Sequence, residues 1–144
     1  MSAGIVITHS EQNLEDEETL LFQIWIQPNQ NNIEPRWENI DIHLETKSGM
    51  HPLVSGKIKF KNSQILKIHQ DATLYIMNGD INDNFKYKLK PDRHIYLVVS
   101  KGRIKINELQ ANERDGVRII DEHNINFIFR GESELIILDL PNIT

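Results

Sequence analysis

The amino-acid sequence predicts an all-β protein built as a sandwich or barrel, and three observations carry that prediction. Among 144 residues, isoleucine occurs 22 times and alanine three times. This balance starves helices of their best former and supplies the branched side chains that sit well on a pleated sheet. Several segments alternate apolar and polar residues at period two, as half-buried strands do. Turn chemistry falls between the apolar runs at short spacing, in Asn78-Gly79-Asp80, Pro91-Asp92, Lys101-Gly102, Asp115-Gly116 and Arg130-Gly131.

The elements follow in order. Ile5–His9, Leu20–Gln27 and Trp37–Leu44 are apolar runs predicted as strands. The first two are joined by the acidic stretch Glu15-Asp16-Glu17-Glu18, and the second and third by a loop rich in Asn and Gln that carries Pro28 and Pro35. Ile58 and Phe60 alternate with Lys57, Lys59 and Lys61 and predict a strand. Further strands are predicted at Gln64–His69 and Thr73–Met77. Phe85-Lys86-Tyr87-Lys88-Leu89-Lys90 places three apolar side chains on one face and three lysines on the other. The lysines read as the solvated outer face of a strand rather than as an anion site. Strands are then expected at His94–Ser100, Arg103–Ile106, Val117–Asp121, Asn124–Phe129 and Glu134–Leu140. No run has sustained helical periodicity, and Ala111–Arg114 is expected to form a brief turn at most. Residues 1–47 are too few to bury their own apolar face, so they are expected to form an arm attached to a barrel of residues 48–144, with the boundary at Lys47-Ser48-Gly49.

Composition narrows the function. There is no cysteine, which removes disulfides, thiolate metal sites and cysteine nucleophiles and suits a reducing, cytoplasmic location. A net charge of -5 disfavours direct binding to nucleic acid. No apolar run approaches the ~20 residues of a membrane span. Phosphate-binding glycine loops, Gly-x-Ser-x-Gly elbows and His-Glu-x-x-His helices are absent.

Six histidines are available: His9, His43, His51, His69, His94 and His123. A metal site on a strand needs donors at i, i+2, which share a face. Only His9-Ser10-Glu11 has that spacing cleanly, making His9 and Glu11 the candidate ligands. On its own such a pair is more often an ordinary polar pair at a strand end. His69 beside Asp71, and His123 beside Asp121 and Glu122, sit where exposed polar residues are expected.

Gly4-Ile5-Val6-Ile7-Thr8-His9-Ser10-Glu11-Gln12-Asn13, followed by Leu21-Phe22-Gln23-Ile24-Trp25-Ile26-Gln27-Pro28 and Pro35-Arg36-Trp37, resembles the pirin family of bicupins. His69-Gln70-Asp71-Ala72-Thr73-Leu74-Tyr75, Leu89-Lys90-Pro91-Asp92-Arg93 and Leu138-Asp139-Leu140-Pro141 are similar to the second cupin of shorter bacterial pirins, so the likeness runs end to end. The resemblance implies a double-stranded β-helix cupin barrel, preceded by the tail of an incomplete first cupin. It implies a quercetin 2,3-dioxygenase-like activity in which iron binds a flavonol, with His9 and Glu11 matching the second pair of metal ligands and Thr8 and Trp25 near them. The first ligand pair of the family comes from a His-x-His motif, and no His-x-His occurs here.

The chain is therefore expected to be inactive alone, its catalytic residues unassigned. The resemblance leaves room for a homodimer exchanging the N-terminal arm, for a separately encoded first-cupin half, or for a non-enzymatic binding or regulatory module. The second barrel is expected to hold no metal, because His94 and His123 each stand without a companion at i+2.

Overall fold

The computed structural model describes residues 1–5, 7–42 and 48–142. Ten strands form two sheets: β1 (Gly49–Ser55), β2 (Leu66–Lys67), β3 (Thr73–Gly79), β4 (Asn84–Lys88), β5 (Arg93–Lys101), β6 (Arg103–Ile106), β7 (Leu109–Asn112), β8 (Gly116–Ile119), β9 (Asn124–Phe129) and β10 (Ser133–Pro141). The larger sheet runs β2-β1-β3-β10-β5-β8 and the smaller β4-β9-β6-β7. Apart from β1 and β2, which pair in parallel, neighbouring strands are antiparallel. The two inner faces enclose one core containing Tyr75, Met77, Leu97, Ile104, Ile125, Phe127, Phe129, Leu135 and Ile137. The all-β prediction holds, and no helix among the described residues is long and apolar enough to cross a membrane.

Alternation explains most of the barrel. In β4, Phe85 and Tyr87 turn inward and Lys86 and Lys88 face solvent, as the period-two pattern requires. Phe85 meets Phe129 edge to face, centroids 5.8 Å apart at 80°. β3, β10 and β5 are apolar on both faces. Tyr75, Met77, Leu97, Leu135 and Ile137 fill the core, while Leu74, Ile76, Val98, Ile136 and Leu138 are only half-buried on the outer side. Strands apolar on both sides are the mark of a sheet meant to be covered on both.

Four expectations fail. Among the described residues of 1–42 no named strand forms; the one piece of β pairing among them is an isolated bridge between Ser2 and Arg36. The predicted strands at Ile5–His9, Leu20–Gln27 and Trp37–Leu44 are extended or irregular in their described parts. Val6, His43 and Leu44, and Lys47 of the expected boundary, lie outside the described residues. Apolar alternation makes a strand only where a neighbour completes the ladder, and these segments have none.

Lys57–Lys61 is not a strand but a 3₁₀ turn at Ile58–Phe60, with Ile58 88% exposed. Lys57 turns inward to an acid instead of outward to water. The approach of backbone at Gly56, where an added Cβ would lie 2.6 Å from the carbonyl oxygen of Ile68, fixes that turn. Strand β1 was missed because Pro52 interrupts it, and its register with β3 shifts between Pro52 and Val54. β7 takes Ala111 and Asn112 from the turn expected at Ala111–Arg114, which is confined to Glu113 and Arg114, and it pairs Ala111 with Ile104 and buries it.

Candidate functional site

His9 and Glu11 lie on the N-terminal arm. The arm is held to the barrel at the β2 edge: Asn29 N–H donates to the His69 carbonyl at 2.7 Å, Gln70 Nε2 to the Gln27 carbonyl at 2.8 Å, and Arg36 Nη2 to the Lys67 carbonyl. Ser2 and Arg36 exchange backbone hydrogen bonds of 2.8 and 3.1 Å. Ile24 and Ile26 line a groove of about 190 Å³ with Val54, Leu66 and Leu74, so the arm's apolar side rests over the edge of the large sheet.

His9 Nε2 is 3.8 Å from Glu11 Oε1, and Gln23 Nε2 donates to the same oxygen at 3.2 Å. One ion could touch both donors at ordinary bond lengths. Both side chains are solvent-exposed, at 37% and 53%. Among the described residues no group of three His, Cys, Asp or Glu side chains converges to hold a metal. The pair thus fits one chelating edge of a metal's shell and supplies no more than that. Thr8 is exposed and Trp25 is 84% exposed, so neither is enclosed in a wall around the pair.

The other histidines are scattered. His94 Nδ1 is 3.2 Å from Asn142 Oδ1, and His69 and His123 accept backbone hydrogen bonds from Asn29 and Leu89. His43 lies outside the described residues.

A second polar cluster occupies one mouth of the barrel, where the ends of β1, β3, β4, β5 and β10 converge. Asp139, 4% exposed, accepts from Arg93 Nε at Oδ1. Its Oδ2 accepts from Lys57 Nζ and Tyr87 Oη, each at 2.8 Å. Arg93 also donates to the Asp71 carboxylate and carbonyl at 2.8 Å and to the Asp139 carbonyl at 3.0 Å. Ser55 Oγ and Thr73 Oγ1 lie 2.8 Å apart beside it.

Burial is the largest single influence on Asp139 and pushes its carboxyl up. The hydrogen bonds and charges of Lys57 and Arg93 together outweigh it and hold the carboxyl below its ordinary value. Burial lowers the Lys57 ammonium and raises the Tyr87 phenol, the latter reinforced by the Asp139 charge. With every charge paired, the cluster is a closed ionic plug. The sequence carried a signal for it: Arg93 is in phase with Ile95, Leu97 and Val99, and Asp139 with Leu135 and Ile137, so ionisable side chains stand at core-facing positions.

The comparisons with known proteins converge. Residues 53–140 match the family model for the quercetinase C-terminal cupin domain. The chain is 34% identical over 144 residues to a quercetin 2,3-dioxygenase of Escherichia coli K12, covering 99% of this chain and 60% of that protein. It is 33% identical over 139 residues to a pirin-like protein of Caulobacter vibrioides, covering 96% and 60%. It thus spans about three-fifths of the length of these curated relatives.

The crystal structure of YhhW from Escherichia coli superposes with a TM-score of 0.75 at 29% identity, over 83% of this chain and 49% of that one. The structure of the same bacterial pirin in complex with nickel(II) gives 0.74. A sandwich of these two sheets, an arm bearing His-Ser-Glu, and a match to the quercetinase C-terminal cupin over most of the barrel place the chain in the pirin family of cupin proteins.

Proposed function

We propose that this chain forms the C-terminal part of a quercetin 2,3-dioxygenase-like metal cupin, with the arm of residues 1–47 belonging to the metal-binding barrel and residues 48–144 forming the companion barrel. His9 and Glu11 are two of the metal's donors, and the others come from outside residues 1–144. The observation that supports this reading is the His9–Glu11 pair, 3.8 Å apart and facing solvent on an arm with no strand partner.

Iron is the metal we favour, and a flavonol the substrate class. When bound, the metal supplies the centre at which flavonol and dioxygen are brought together. This chain's share is to hold two donors on one extended segment, with Gln23 donating to Glu11 Oε1 and restraining the carboxylate. A reducing, cytoplasmic location accords with the absence of cysteine.

The test is metal content and oxygen uptake on quercetin. The chain is assayed alone, then after refolding with a polypeptide corresponding to the part of the Escherichia coli relative that lies outside the match. The proposal expects less than about a tenth of an iron per chain alone and near one per complex, lost again in His9→Ala and Glu11→Gln. Equal, low metal in both preparations overturns it and leaves a non-enzymatic binding module.

A further inference from the structure

The strand register assembles a basic face that no single segment of the sequence displays. On the outer side of the small sheet, Lys86 stands opposite Asn126, and one step along the ladder Lys105 stands opposite Ile128. Lys88 extends the face along β4, and Arg103 and Arg130 meet where β6 joins the end of β9, through the Arg130 N–H to Arg103 carbonyl bond of 3.2 Å. The spacing of strands and residues puts Lys86 about 7 Å from Lys88 along β4 and about 12 Å from Lys105 across β9. Glu108 pairs with Lys105 at 2.9 Å. Lys86, Lys88, Arg103 and Arg130 are exposed, and none is paired with a carboxylate among the described residues.

This face belongs to an acidic protein whose charge is unevenly divided. Residues 1–47 carry nine carboxylates against two basic side chains, whereas residues 48–144 carry twelve against fourteen. Four of the nine form the run Glu15–Glu18. That run is fully exposed and is shaped by Asn13, whose side chain caps it through bonds of 2.7 Å to the Glu17 carbonyl and 3.0 Å from the Glu15 N–H. None of the four acids has a cation partner among the described residues. The arm is anchored on the β2 edge of the other sheet, away from the basic face.

We infer that the outer face of the small sheet is a docking surface for the Glu15–Glu18 loop of a second copy of this chain. Reciprocal exchange gives two such contacts about one two-fold axis, which closes the assembly as a dimer. Charge complementarity selects the occupant: apart from Lys105, which Glu108 pairs, the charges of each surface have no ion-pair partner among the described residues, and the two surfaces are opposite in sign. No exposed aromatic lies among these cations to stack a base, since Phe85 and Tyr87 point into the core, so a polypeptide suits the face better than a single-stranded nucleic acid. This inference is independent of the metal reading.

Sedimentation equilibrium of the full chain tests it as salt is raised from about 0.01 to about 1 M, which shortens the reach of exposed charge from ~30 to ~3 Å. The expected result is a dimer whose dissociation constant rises tenfold or more across that range. It should rise similarly in Lys86→Glu/Lys88→Glu and in Glu17→Lys/Glu18→Lys, whose exposed sites leave the thermal melt unchanged. Mixing the two reversed variants should restore association. A monomer at every ionic strength overturns the inference, as does a dimer indifferent to salt and charge reversal. Crosslinks joining the loop to the face within one chain, or binding of a polyglutamate peptide without self-association, would assign the face to a different occupant.

Discussion

Arg93 and Asp139 meet diagonally across the β5–β10 ladder, where Arg93 stands opposite Pro141 and Asp139 opposite Ile95, guanidinium to carboxylate at 5% and 4% exposure, and both stand at positions where the neighbouring in-phase residues are aliphatic. A pair removed from water to this extent costs heavily when broken and little when replaced whole. Asp139→Asn, which strands Lys57 and leaves Arg93 with Asp71 as its one carboxylate partner among the described residues, should lower the unfolding free energy by about 3–5 kcal/mol, and Arg93→Met by a similar amount. The double replacement Arg93→Met/Asp139→Leu should lose less than the sum, because Arg93 is no longer left facing an empty acceptor, although Lys57 still loses its carboxylate. Urea titration of the four proteins in the cycle measures this, and additive losses would show that the two side chains are not coupled.

The same cluster sets the pH limits of stability. The Asp139 carboxyl is held below its ordinary value of 3.8, so its contribution is present above that value and drains away as pH falls through the lower folded value. The Tyr87 and Tyr75 phenols are raised above 10.0, so their contribution is complete below that value and lost as pH rises beyond it. Lys57, lowered from 10.5, acts in the opposite sense and partly offsets the alkaline loss. Thermal melts should therefore show a plateau with shoulders below about pH 4 and above about pH 10. Tyr87→Phe should soften the alkaline shoulder and move the acid one slightly upward, because it removes one of the lesser bonds that hold the Asp139 carboxyl down.

Packing around Phe129 leaves no room at Gly79. An added Cβ would lie 2.6 Å from a ring carbon of Phe129, itself fully buried and in edge contact with Phe85. Gly79→Ala should cost about 1–3 kcal/mol through overpacking. Phe129→Ala should cost about 3–5 kcal/mol through the cavity it leaves. Combining them should cost less than the sum, since the smaller ring-free site accepts the new methyl group. Chemical denaturation distinguishes these outcomes.

Arg36 links the arm to β2 through the Lys67 carbonyl and to Ser2 through its backbone. Removing its guanidinium in Arg36→Ala should free the arm without touching the core. Limited proteolysis should cut within residues 1–42 several times faster than in the parent, while amide exchange in β3, β5 and β10 stays unchanged. Unaltered cutting would mean that the Asn29–His69 and Gln27–Gln70 bonds and the apolar groove around Ile24 and Ile26 secure the arm without it.

The barrel was legible wherever a strand's own alternation matched its burial. Phe85–Lys88 and Arg103–Ile106 announce their inward faces residue by residue, whereas Ile95–Val99 and Leu135–Leu138 are continuous apolar runs that announce only a strand. Pro52 concealed β1, because a ring without an N–H argues against a ladder and only the register shift beside it lets the strand continue. Lys57 concealed the mouth, since its alternation with Ile58 reads as a strand until Asp139, 82 residues away, draws the ammonium inward. For the candidate site, His9 and Glu11 were visible through their spacing and family likeness, but their isolation is a matter of what stands around them. The arm strands were misread for the same reason: a sequence shows the desire for a ladder and says nothing of the neighbour.

The large sheet is greasy on its outside as well as its inside, along β3, β5 and β10, with Ile76, Val98, Ile136 and Leu138 only half-covered. Handled in isolation, such a molecule should light up an environment-sensitive dye while fully folded, cling to phenyl resin, and lose solubility in sulfate well before its melting behaviour changes. A laboratory following that signal would be tracking an uncovered wall, not a failure of the barrel behind it.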